Sequence, residues 1–146
     1  MSVGYKPRQF LTLVGLPLLV AGGIYVLFRD NSLLLFDGLK QLQITPMVSQ
    51  LRDATAPIGH RLPTWVKFSL PDGLWLLSYL FFLRLVWAES PRKPMWLWVS
   101  LGLLVSVGHE LGQAAGFMHG TFDWVDLAAY TTAAVTALAI RLPEAS

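Results

Sequence analysis

The chain has 146 residues, 54% of them hydrophobic and only 14% charged, with a formal charge of +2 and a mean hydropathy of +0.52. Soluble domains carry about 25% charged residues, so an ordinary water-facing surface is excluded, and the scattered basic residues leave no nucleic-acid footprint. The absence of cysteine removes disulfides, thiolate catalysis and cysteine-ligated metals.

The first apolar run, Phe10 to Phe28, follows Lys6 and Arg8 and ends at Arg29-Asp30. At ~1.5 Å per residue it crosses a ~30 Å hydrocarbon core. It is longer than the apolar region of a signal peptide and no small-x-small cleavage site follows, so it reads as an uncleaved span. In the connection that follows, Leu33 to Phe36, Leu39 and Leu42 recur at helical spacing, broken by Asp37 and Lys40, which suits a helix at the membrane surface over 33–43. Pro46 and Pro57 punctuate the rest, with a short helical turn expected around Met47, Val48 and Leu51. Ser69-Leu70-Pro71-Asp72 reads as a helix start, with Ser69 as its cap. The second apolar run ends near Arg84, which reads as a snorkelling residue. A polar turn from Glu89 to Pro94 leads into a third helix ending near Ala115. Gly116 to Phe122 form a loop, and a fourth helix runs from about Asp123 to Arg141.

The expected fold is therefore all-α: residues 1–146 form one polytopic membrane helical bundle, with spans 10–28, 70–88, 94–115 and 123–141 and an outer connection 30–69 bearing the interfacial helix. Lys6, Arg8, Arg84, Arg92, Lys93 and Arg141 then share one face. The positive-inside rule makes that face cytoplasmic, with both termini there, and the setting expected is the bacterial inner membrane. Trp87, Trp96 and Trp98 fall at this interface, and Trp65, Trp75 and Trp124 at or near the outer one.

The same topology gathers acids at the outer pole. Glu110 lies fifteen residues beyond Met95, ~22 Å into a ~30 Å core, where a carboxylate must be paired, protonated or hydrated. Gln113 shares its helix face and His109 precedes it. Asp72 begins the second span, Asp123 and Asp126 begin the fourth, and His119 lies in the loop. The candidate ligand-binding cluster is thus Glu110, Gln113, Asp123, Asp126, His109 and Asp72. Plainer roles compete: Asp72 and Asp123 suit helix caps, Asp126 a first-turn acid favoured by the helix dipole, and His109 an inter-helix hydrogen bond. His109-Glu110-Leu111-Gly112-Gln113 departs from the zinc-protease helix motif, because Gln113 stands where a histidine is needed. No metal site is assigned, although clustered carboxylates suit hard cations. Ser106 reads as a packing residue.

Glu110 and Gln113, then Gly120-Thr121-Phe122-Asp123 and Asp126, together with Leu70-Pro71-Asp72-Gly73-Leu74-Trp75, resemble the VanZ-like family of small bacterial membrane proteins over about residues 69–141. His119-Gly120-Thr121 and Tyr130 depart from the arginine and asparagine usual in that family. The resemblance implies an envelope protein; the founding member is linked to teicoplanin resistance. The leading expectation is a polar outer-leaflet pocket that binds a membrane lipid or a lipid-linked cell-wall component. Three alternatives stay open: a metal-assisted or acid–base enzyme on a lipid-linked substrate, a small proton-coupled transporter carrying protons on Glu110, and a structural subunit. Cofactors, the ligand and the choice between a homo-oligomer and a larger membrane complex stay undetermined.

Overall fold

The computed structural model describes residues 7–29, 43–88 and 92–142, with positions 38 and 41 standing alone. The surface helix expected over 33–43 lies outside this set except at positions 38, 41 and 43. Among the described residues the chain is helical, without strands. Six helices follow in order: α1 Pro7–Phe28, α2 Thr45–Gly59, α3 Thr64–Lys67, α4 Ser69–Val86, α5 Arg92–Ala114 and α6 Trp124–Ala139. Three of them, α1, α4 and α5 from Lys93, are long and apolar enough to cross a membrane. At 16 residues α6 is shorter, ~24 Å of helix. It stops at Ala139 rather than Arg141: Ile140 is extended, and Pro143 lacks the N–H that would bond the Ala139 carbonyl.

α4 is the central helix. Half of its most apolar stretch is buried inside the protein, against 11% for α1 and 17% for α5. It packs most extensively against α1 and α6, and less so against α5. Leu76, Leu80, Phe81, Leu83 and Leu85 of α4 meet Val14, Met95, Val99, Ala133 and Ala137 from its neighbours. The outer surfaces are apolar as well: Leu19 of α1 and Leu97, Leu104 and Val105 of α5 are all exposed. An inside as apolar as the outside is stable only where lipid replaces water.

The contacts also give direction. Phe10 meets Phe82 edge to face and Ser78 bonds Val14, so α1 and α4 are antiparallel. Tyr79 bonds Trp98 while Asp72 lies near Glu110, so α4 and α5 are antiparallel. Gly73 lies on Ala129 and Arg84 reaches Ala137, so α4 and α6 run parallel. The C-terminal ends of α1 and α5 and the N-terminal ends of α4 and α6 therefore share one pole.

α1 starts at Pro7, where a missing N–H costs nothing. It widens at Leu11–Gly15, where Leu16 N–H bonds Leu11 O five residues back. Pro17 follows at once; its ring cannot sit over a normal i−4 carbonyl, and the wide turn relieves it. Ser78 Oγ donates to Val14 O at 2.5 Å within that turn. Arg84, expected to snorkel, caps a neighbour: its guanidinium donates to Ala137 O and, at 2.7 Å, Ile140 O, carbonyls that the end of α6 leaves without intrahelical partners. Ser69 is not a cap. It lies inside α4, buried, with its Oγ unbonded among the described residues, and Phe68 precedes the helix without a side-chain cap.

Candidate functional site

The shared pole is assembled by helix ends. α5 closes with Gly116 in the left-handed region (φ 74°), while Phe117 N–H bonds Gly112 O at 2.8 Å and Gly116 N–H bonds Gln113 O at 3.0 Å. This paired termination lets the chain leave the helix sharply. The short loop returns to Asp123, whose Oδ1 accepts from Val125 N–H at 2.8 Å and so caps α6. Asp123 N–H in turn donates to Glu110 Oε2 at 3.3 Å. Glu110 is thereby placed one turn from the end of α5, level with the start of α6, and it is 3% exposed.

Four further groups lie near this carboxylate. Asp72, in the first turn of α4, lies in the electrostatic field of Arg29, Asp126 and Glu110. Tyr130, one turn beyond Asp126 on α6, lies in the field of Asp72, Asp126, Glu110 and Arg29. Asp126 Oδ1 is shielded from solvent and bonds nothing among the described residues. The guanidinium of Arg29 sits 4.9 Å from the ring centres of both Tyr25 and Phe68, a cation–π sandwich. Its Nε is also buried and unbonded among the described residues. One cation, three carboxyls and one phenol thus lie within electrostatic reach of one another where four helices end.

Of the six residues expected here, Glu110, Asp72 and Asp126 come together. Asp123 touches Glu110 through its backbone, while its exposed side chain serves as a cap. Gln113 and His109 are used elsewhere: Gln113 Nε2 donates to His119 O at 3.2 Å and lies 3.3 Å from His109 Nδ1, locking the loop. Gly120 (φ 123°) makes this possible, since a Cβ there would fall 2.3 Å from Gln113 Nε2. Arg29 and Tyr130 were missed by sequence reading. Arg29 looked like a simple boundary charge. Tyr130 was noted only as a departure from the VanZ-like pattern, although a phenol one turn after Asp126 is a signal in itself.

Among the described residues no three His, Asp or Glu side chains converge to hold a metal ion. A cavity of about 310 Å³ lies between α4 and α6. Trp65, Ser69, Leu70, Gly73, Ala129 and Ala133 are among the residues that line it, and it begins on the same first helical turns as Asp72 and Asp126. The arrangement can therefore accept hydrogen bonds on its carboxylates, offer a cation in Arg29, and take apolar material in the adjoining groove. Tested against protein-family models, curated proteins and solved structures, the chain matches none.

Proposed function

We propose that this chain is a four-span protein of the bacterial inner membrane, with both termini cytoplasmic, that binds the headgroup of an envelope lipid or lipid-linked cell-wall component at the outer pole. The supporting observation is the buried Glu110 carboxylate grouped with Asp72, Asp126, Tyr130 and Arg29. A carboxylate buried among apolar helices is costly, and ligand or ion pathways are a common use of one. Carboxylates accept hydrogen bonds and Arg29 donates them, so the fitting headgroup has hydroxyl or amine donors beside a phosphate. The apolar groove between α4 and α6 supports a chain lying beneath that headgroup. This reading agrees with the VanZ-like resemblance, which rests on the short motifs around Asp72 and from Glu110 to Asp126.

The test is lipid mass spectrometry on the purified parent beside Glu110→Gln and Asp126→Asn. Glutamine keeps an oxygen that can accept from Asp123 N–H, so the fold survives while the charge is lost. The expected result is one stoichiometric lipid in the parent, absent from both variants at unchanged thermal stability. The same lipid complement in all three proteins overturns the reading.

A further inference from the structure

Sequence spacing around the two prolines gives only a short helical turn after residue 45, yet the chain forms the 15-residue helix α2. Pro46 sits in its first turn, where no N–H is needed, and Pro57 falls only in its last. This helix is docked across the end of α1. Arg52 Nη1 donates to Val26 O and Nη2 to Arg29 O, each at 2.7 Å. About two turns further along, Gly59 lies on the Phe28 ring, where a Cβ would come within 3.0 Å. Val48, Arg52, Thr55 and Gly59, spaced four, three and four residues apart, are thus the docking face, and all are buried or half-buried.

A helix turns ~100° per residue, so two flanks stand on either side of that face. One flank is Met47, Leu51, Ala54 and Ile58, wholly apolar and exposed; Met47 is 65% and Ile58 58% accessible. The other is Ser49, Asp53, Ala56 and His60, also exposed and mostly polar. The two flanks point roughly 160° apart. A helix pinned across the outer end of a membrane span presents one flank to the acyl chains and the opposite flank to water. The exposed Trp65 and Phe68, in and just after α3, continue the apolar side toward the start of α4. Arg61 and Lys67, close after the helix, add positive charge near the headgroups.

We infer that α2 is an interfacial helix whose Met47, Leu51, Ala54 and Ile58 flank is immersed in the outer leaflet, its occupant the phospholipid surface. The helix then sets the height of the bundle, and the Arg52 clamp holds the membrane surface level with Arg29. This lipid contact is independent of the polar cluster and stands whether or not that cluster binds a headgroup.

Because the chain has no cysteine, single substitutions carry a spin label cleanly. Met47→Cys, Leu51→Cys and Ile58→Cys are compared with Ser49→Cys, Asp53→Cys and His60→Cys in vesicles of phosphatidylethanolamine and phosphatidylglycerol. Collision with dissolved oxygen and with a water-soluble nickel chelate is the readout. All six positions are exposed, so each variant should keep the parent's thermal unfolding, and that is measured alongside. The expected result is an oxygen preference at the first three and a nickel preference at the second three, with at least a several-fold difference in the ratio. Equal ratios on both flanks overturn the inference. So does an apolar flank shielded from both reagents, or spin–spin broadening that disappears on dilution with unlabelled protein, which would assign the flank to a second copy.

Discussion

Arg84 ties the end of α6 to α4 through two carbonyls. Hydrogen bonds from a charged donor contribute about 1.5–3 kcal/mol. Arg84→Ala should therefore lower unfolding stability in detergent by about 2 kcal/mol, and Arg84→Lys should recover most of that, since both bonds come from the single nitrogen Nη1 and one ammonium carries enough donors to supply both. Thermal unfolding of the two variants checks this. Gly120 is the second position where one atom decides. Its φ of 123° and the nearby Gln113 amide oppose any side chain. Gly120→Ala should cost about 1–3 kcal/mol through backbone strain plus the clash. A Gln113→Ala background should relieve the clash and leave the strain, so the double variant should fall short of the sum of the singles. Additive losses would mean that Gln113 has no part in the loop's closure.

At the scale of the element, close helix approach depends on glycines and on hydroxyls that reach carbonyls. The Tyr79 ring lies over Gly102, where a Cβ would fall 2.4 Å from Cε1, while Tyr79 Oη donates to Trp98 O at 2.9 Å. Gly102→Ala must push the ring off α5 and break that bond. It should destabilise the protein by more than Tyr79→Phe, which removes only the hydroxyl, a loss of about 0.6–1.7 kcal/mol for such bonds in membranes. Chemical unfolding of both variants ranks them, and a milder Gly102→Ala would show that α4 and α5 separate freely here. The proline pattern misled sequence reading only in the outer connection. Pro46 and Pro57 look like breaks, yet a helix start absorbs the first and a helix end the second; Pro17, expected inside the first span, is accommodated there by a widened turn.

For the whole molecule, the alternating directions of α1, α4, α5 and α6 decide which groups meet. Three helices have the length and apolarity of spans, and α6, although shorter, runs parallel to α4 along its most extensive interface. If α6 is the fourth span, both termini lie on one side of the membrane; with three spans they lie on opposite sides. Reporters fused before Met1 and after Ser146, active only in the cytoplasm, should both be active. One active and one silent reporter would remove α6 from the spans and with it the outer pole as a membrane-face site.

Sequence by itself determined the helical class, the membrane-length spans near 10–28, 70–88 and 94–115, and the gathering of Asp72, Glu110 and Asp126 at one end, because hydropathy runs and chain reversal are properties of order along the chain. It also marked Asp123 as a cap, since capping is local. Tertiary structure decided the rest. Arg29 joins the acids only because the end of α1 lies against Phe68 and the start of α4. His109 and Gln113 leave the cluster because the loop's carbonyl at His119 claims the Gln113 amide. The flanks of α2 acquire separate roles only once Arg52 and Gly59 are set against the end of α1. In each case the deciding partner is distant in sequence or turned by a φ that no periodicity records. Burial energy and hydrogen-bond satisfaction choose such partners from the packed whole, and the local pattern is silent about them.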